Sequence, residues 1–223
     1  MLELRPYLMA LFAAGMVACS SGTGWESRQQ QHIVRKGETL YSIAWRYDKS
    51  PEQLARWNKL GDGSLIYPGQ VLRLTAPSGA TTASTAGREP TPLPKVPASP
   101  PPGWAWPANG PVGVKFGGKP GPGTGILIRG KSGEAVRAAA SGRVVYAGSG
   151  LIGYGQLIIL KHNDTYLSAY GYTESLLVRE NQAVKQGQRI ATIGEGPERK
   201  TWLHFEIRRN GQPVDPTRFL PRR

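Results

Sequence analysis

The hydrophobic pattern of the chain changes character three times. The first apolar block, Leu8 to Ala18, has almost no polar interruption. It is too short to span a bilayer as a stable helix and the right length for the core of a signal peptide over residues 1–18. A polar stretch, 19–31, reads as a tether. From His32 the pattern acquires structure: His32-Ile33-Val34-Arg35 is a short strand closed by Lys36-Gly37-Glu38. Thr39 caps a helix whose stripe is Leu40, Ile43, Ala44 and Tyr47. Ser50-Pro51-Glu52-Gln53 opens a second helix with a cap, a first-turn proline and a capping-box glutamine. That helix presents Leu54 and Trp57, and Val71-Leu72-Arg73-Leu74 returns as a strand. Residues 32–75 are therefore a βααβ module.

Residues 76–103 lose all periodicity and turn to Ala, Ser, Thr, Pro and Gly, which cannot offset the entropy of ordering and act as a spacer. From 104 to 223 the period becomes two. Short β-prone runs recur between glycine-rich turns: Val112–Phe116, Gly125–Ile128, Gly142–Ala147, Gln156–Lys161, Tyr166–Tyr170, Gln188–Ile193 and Trp202–Ile207. Even spacing of such runs argues for an all-β, mostly antiparallel domain.

Composition adds an address. The 223 residues are 39% hydrophobic, enough for cores, while 29 Gly and 19 Pro fit many turns and a spacer. Cys19 is the only cysteine and excludes an intramolecular disulfide. Met16-Val17-Ala18-Cys19 resembles a bacterial lipobox, with Met in place of the usual leucine. That resemblance implies lipidation of Cys19 and anchoring to a membrane. Ser20 after the cysteine implies the periplasmic face of the outer membrane. The net charge of +13 is of the kind that binds nucleic acid, but an exported lipoprotein meets none. Peptidoglycan carboxylates and lipid phosphates are the anionic surfaces within reach.

Three phrases in the βααβ module resemble the LysM family: Val34-x-Lys36-Gly37-Glu38-Thr39-Leu40, Leu54-x-x-Trp57-Asn58 and Ile66-x-Pro68-Gly69-Gln70. The resemblance implies binding of N-acetylglucosamine-containing glycan of peptidoglycan. The groove would lie between Gly37, Glu38, Thr39 and Leu40 on one side and Leu65, Ile66 and Tyr67 on the other. For Leu40 and Ile66, plain core packing is an equal alternative. His32 reads as scaffold of the strand.

The β domain resembles the LytM/lysostaphin-type peptidases, a duplicated-hybrid-motif fold, from Trp106 to Leu220. The matching phrases are Trp106-Pro107-x-x-Gly110, Ala135-Val136-x-Ala138, Gly153-Tyr154-Gly155-Gln156, Val184-x-x-Gly187-Gln188 and Thr201-Trp202-Leu203-His204-Phe205-Glu206. A hydrolytic zinc needs three protein ligands and an open position for water. Carried over, the resemblance puts Gly123 and Leu127 at two ligand positions and His204 at the third. Tyr172 and Trp202 replace the two assisting histidines. No cofactor or metal is expected, with Glu195 and Glu198 read as solvated loop residues. Gly123, Leu127, Tyr170, Tyr172, Trp202 and His204 are then expected to line a partner groove, the alternative being that the aromatics fill vacated volume. His204 would hydrogen-bond Tyr170 or Tyr172, and His162 is structural.

LysM plus a degenerate LytM domain on a lipoprotein resembles the NlpD-type murein hydrolase activators. The resemblance implies a catalytically inactive protein that switches on an N-acetylmuramoyl-L-alanine amidase. An active zinc endopeptidase and a passive envelope tether are the two rival readings.

Overall fold

The structure, a computed structural model, describes residues 30–61, 65–77, 99–118 and 121–223. The expected signal peptide, Cys19 and most of the spacer lie outside the described residues. Among the described residues no helix is long and apolar enough to cross a membrane.

The βααβ reading holds. Strand β1 (Gln31–Ile33) pairs antiparallel with β2 (Val71–Arg73), His32 facing Leu72. Gln31, expected in the tether, already belongs to the sheet. Helix α1 (Leu40–Arg46) starts with a capping box between Thr39 and Ser42, and α2 (Pro51–Trp57) with one between Ser50 and Gln53. Both boxes satisfy amide groups that a helix start leaves orphaned. Val34, Leu40, Ile43, Ala44, Leu54 and Leu72 close a small core between helices and sheet.

The C-terminal domain is a ten-stranded sheet: β3 (Val112–Val114), β4 (Ile126–Arg129), β5 (Ala135–Arg137), β6 (Gly142–Gly148), β7 (Gln156–Lys161), β8 (Tyr166–Leu176), β9 (Ala183–Val184), β10 (Arg189–Glu195), β11 (Thr201–Arg209) and β12 (Gln212–Val214). Every recorded pairing is antiparallel. Strands β5, β9 and β12 escape the period-two reading because two or three residues are too few to show it. β11 lies between β4 and β8, with Trp202 opposite Arg129 and Glu206 opposite Ala169.

Alternation on β11 sorts its side chains. Leu203, Phe205 and Ile207 enter the main core, where Ile126, Ile158, Leu160, Tyr166 and Tyr170 meet them. Trp202, His204, Glu206 and Arg208 form a row on the opposite face, each at most 4% exposed. The far end of the spacer is fixed to this domain rather than free: Ser99 donates its amide to Thr165 Oγ1, and Gly103 O accepts from Gln186 Nε2.

The LysM module docks on the row face. Trp45 of α1 is buried with Tyr146, Leu151, Tyr154, Leu157, Ile159 and Leu167 of the β domain. Hydrogen bonds from Arg208 Nη1 to Trp45 O, from Gln212 Nε2 to Asp48 O and from Thr39 Oγ1 to Val145 O frame that contact.

Candidate functional site

The row on β11 defines the site. At its N-terminal end, Trp202 packs with Leu127 of β4 and Tyr172 of β8, and Val114 of β3 leans on them. Gly113 is glycine for a steric reason: a Cβ there would sit 2.4 Å from the Trp202 ring. Arg129 lies 5.3 Å over the same ring. Tyr172 reaches this face only because β8 breaks its alternation. Tyr166 and Tyr170 face the main core, and period two would send Tyr172 after them. Its backbone instead takes φ 56°, a strained setting for an aromatic residue, and its amide bonds Tyr154 O at 2.7 Å.

Tyr170 is thereby excluded from the site, correcting the expectation. It is wholly buried on the opposite face, where its hydroxyl accepts from Ala139 N and hydrogen-bonds Ser168. Burial pushes its phenol up to about 12. Leu127, Tyr172 and Trp202 come together, but at 2%, 7% and 4% exposure they plug the cleft rather than line an open one. Gly123 is half-buried in the loop before β4 with φ 74°, and nothing of the plug lies within 4 Å of where a Cβ would sit.

His204 bonds neither tyrosine. Its Nε2 is 3.1 Å from Glu206 Oε2, while the rings of Tyr154 and Tyr172 stand edge-on to it. Glu206 is the hub. Oε2 also accepts from Thr124 Oγ1 at 2.7 Å and from Tyr154 OH at 3.3 Å, and Oε1 accepts from Arg208 Nε at 2.7 Å. Burial alone would raise this carboxyl, but the His204 hydrogen bond, the Arg208 charge and the Thr124 hydroxyl outweigh it and hold it below its usual range. Arg208 continues the chain, stacking 3.8 Å over Trp45 and pairing with Asp48 at 3.0 Å. Glu206 and Arg208 are readable as alternating polar positions on a strand, but the burial of Arg208 is not, because its cover, Trp45, comes from the other module.

In the LysM module, Gly37 is exposed in a turn at φ 82°. Leu40 belongs to the module's core and Ile66 packs against it, which favours packing over ligand contact for both. Leu65 and Tyr67 are 64% and 59% exposed. Glu38 is bound by His32 at 2.7 Å, Arg46 at 2.5 Å and the Arg35 amide. Burial pushes its carboxyl up, and those three partners together bring it net below the usual value. His162 is tied to Ser141 O and Ser168 Oγ. The exposed pairs Arg199–Glu195 and Lys200–Glu198 occupy the two loop carboxylates.

Comparison with known proteins agrees with this layout. Residues 32–75 match the LysM domain and residues 121–216 match peptidase family M23. A Pseudomonas aeruginosa protein named lipoprotein NlpD/LppB homolog is 44% identical over 86% of this chain and 77% of its own length. The chain belongs to the NlpD/LppB lipoprotein family. A second relative, the Escherichia coli lipoprotein YgeR, is 38% identical over 91% of the chain and 85% of its own length. Murein hydrolase activator NlpD of Escherichia coli is 55% identical over 54% of the chain, but the match spans only 32% of that longer protein. Among solved structures, lysostaphin of Staphylococcus simulans aligns at 29% identity over 48% of each chain with a TM-score of 0.43.

Peptidase M23 folds imply a zinc, and the residues of this NlpD/LppB member do not fit one. The one histidine at a ligand position spends its outward nitrogen on Glu206, whose other oxygen is bound to Arg208. No group of three His, Cys, Asp or Glu side chains that could hold a metal occurs among the described residues. The peptidase-like frame is retained, with Gly123 and Leu127 where the resemblance places two metal ligands and Tyr172 and Trp202 where it places the assisting histidines.

Proposed function

We propose that this chain binds peptidoglycan through its LysM module and activates a cell-wall N-acetylmuramoyl-L-alanine amidase through its M23 domain, without cutting murein itself. It works from the periplasmic face of the outer membrane, held by lipid on Cys19. The observation that carries the reading is the plug: Leu127, Tyr172 and Trp202, which stand for one ligand and two assisting histidines in the resemblance, pack together while the surrounding sheet stays intact. A fold that keeps its frame and exchanges metal chemistry for packing is suited to binding. The name murein hydrolase activator, carried by the Salmonella and Escherichia coli relatives, gives the class of partner.

The partner surface is the rim of the plug. Phe116 is exposed in the loop after β3, and the Glu195–Lys200 loop approaches Tyr172 and Trp202 through Gly196. An exposed aromatic is the residue type that interfaces favour, which makes Phe116 the side chain to test. Dye release from labelled murein by a purified amidase, with and without this protein, tests the function. Activation is expected with wild type and reduced by Phe116→Ser. Tyr172→Ala and Trp202→Ala are expected to abolish it by collapsing the platform. An unchanged amidase rate would leave only a tether, and dye release by the protein alone would revive an endopeptidase.

A further inference from the structure

Helix α1 has two buried faces. Leu40, Ile43 and Ala44 enter the LysM core. Tyr41 and Trp45, four residues apart on another face, leave that core and join Tyr146, Leu151 and Tyr154 of the M23 domain. Trp45 is 2% exposed only because the second domain covers it. The dependence is mutual, since the Arg208 guanidinium is buried under the Trp45 ring and donates to its carbonyl.

The polar edge of this contact is the loop that the LysM resemblance assigns to glycan. The Thr39 hydroxyl donates to Val145 O at 3.1 Å. Arg46, which holds Glu38 from one side, donates to Gly150 O at 3.0 Å. The Thr39 hydroxyl is the donor such a loop offers a sugar, and here it is engaged by the M23 backbone, with Arg46 at the end of α1 bonded to the same domain. A donor hydrogen serves one acceptor at full strength.

The geometry points to mutual exclusion: the docked LysM module is a closed state, and an N-acetylglucosamine glycan seated against Thr39 releases it from the M23 domain. Release would expose the Tyr146–Leu151–Tyr154 face and remove the cover over Arg208, so murein contact changes the end of the row that leads through Glu206 to His204. Linkage is reciprocal, and whatever loosens docking must tighten glycan binding by the same factor. This rests on the glycan-binding reading of the LysM module and not on the identity of the amidase.

The probe is chitotetraose, the tetramer of N-acetylglucosamine, titrated calorimetrically into the full chain in detergent, with hydrogen exchange read over residues 148–155. Wild type is expected to exchange faster in that loop when saturated. Leu151→Asp lies in the M23 domain, away from the LysM loop, and should bind chitotetraose about tenfold tighter if the closed form holds about nine-tenths of the molecules. Trp45→Ala, outside the LysM core, should do the same. Equal affinity in all three proteins, or slower exchange on saturation, overturns the exclusion. Absence of binding by every form overturns the glycan reading beneath it and leaves the amidase assay to stand by itself.

Discussion

Replacing Arg208 by Met isolates what a single buried charge contributes. The substitution keeps most of the apolar stem over Trp45 and removes the guanidinium. Lost with it are the 2.7 Å bond to Glu206, the 2.9 Å bond to Trp45 O and the 3.0 Å pair with Asp48. The Asp48 pair contributes little, because that carboxylate is 60% exposed. Glu206 is the dominant loss: a carboxylate with no exposed surface keeps only His204, Thr124 and Tyr154. Breaking a buried pair from one side costs about 3–5 kcal/mol. At roughly 3 °C per kcal/mol for a domain of this size, melting should fall by about 10–15 °C. Scanning calorimetry of wild type and variant measures it directly. A companion carrying Glu206→Leu as well should recover most of the loss, since two apolar groups replace the pair. A fall under about 3 °C for Arg208→Met would refute the buried pair as a structural element.

Acid should destabilise the M23 domain in two steps. Burial pushes His162 down to about 4, so the folded state stays neutral where the unfolded chain, with its value near 6.5, already takes up a proton. The unfolded state thus binds more protons between those values, and stability falls as pH drops from about 6.5 to 4. His162→Asn should flatten that part of the melting profile. The depressed Glu206 carboxyl adds a second loss as pH falls through its folded value, below the ordinary 4.5. Gly113→Val drives a side chain into the Trp202 ring and should cost about 1–3 kcal/mol, read by urea denaturation. Chelation by EDTA should leave the melting temperature unchanged, and a zinc titration should show no stoichiometric tight binding.

Where a local rule decides an element, the sequence is legible. Both LysM helices begin at their capping residues, and β7 has its expected ends, because caps and alternation act within a few residues. The site is less legible, and Tyr170 and Tyr172 show why. Two residues apart on a strand, they read as neighbours on one face. A single left-handed residue at Tyr172 sends one to the core and the other to the plug. Trp45 is a second case. Its stripe on α1 is overshadowed by the Leu40–Ile43–Ala44 stripe, and its binding surface lies about a hundred residues away. Arg208 then reads as an ordinary exposed base when only 1% of it is exposed.

The packing of Leu127, Tyr172 and Trp202 also bears on what this fold can become. Leu127→Asp alone would bury a carboxylate between Trp202 and Tyr172 with no cation to meet it, at a cost of several kcal/mol. Tyr172→His or Trp202→His alone would leave a void where a larger ring now packs. Each step back toward a metal site is harmful until the others are present. Once the three apolar side chains had closed over one another, drift could vary the rim loops freely while the route to hydrolysis stayed shut. On the proposed inactive reading, core packing alone acts as a ratchet against hydrolysis, independent of selection on activity.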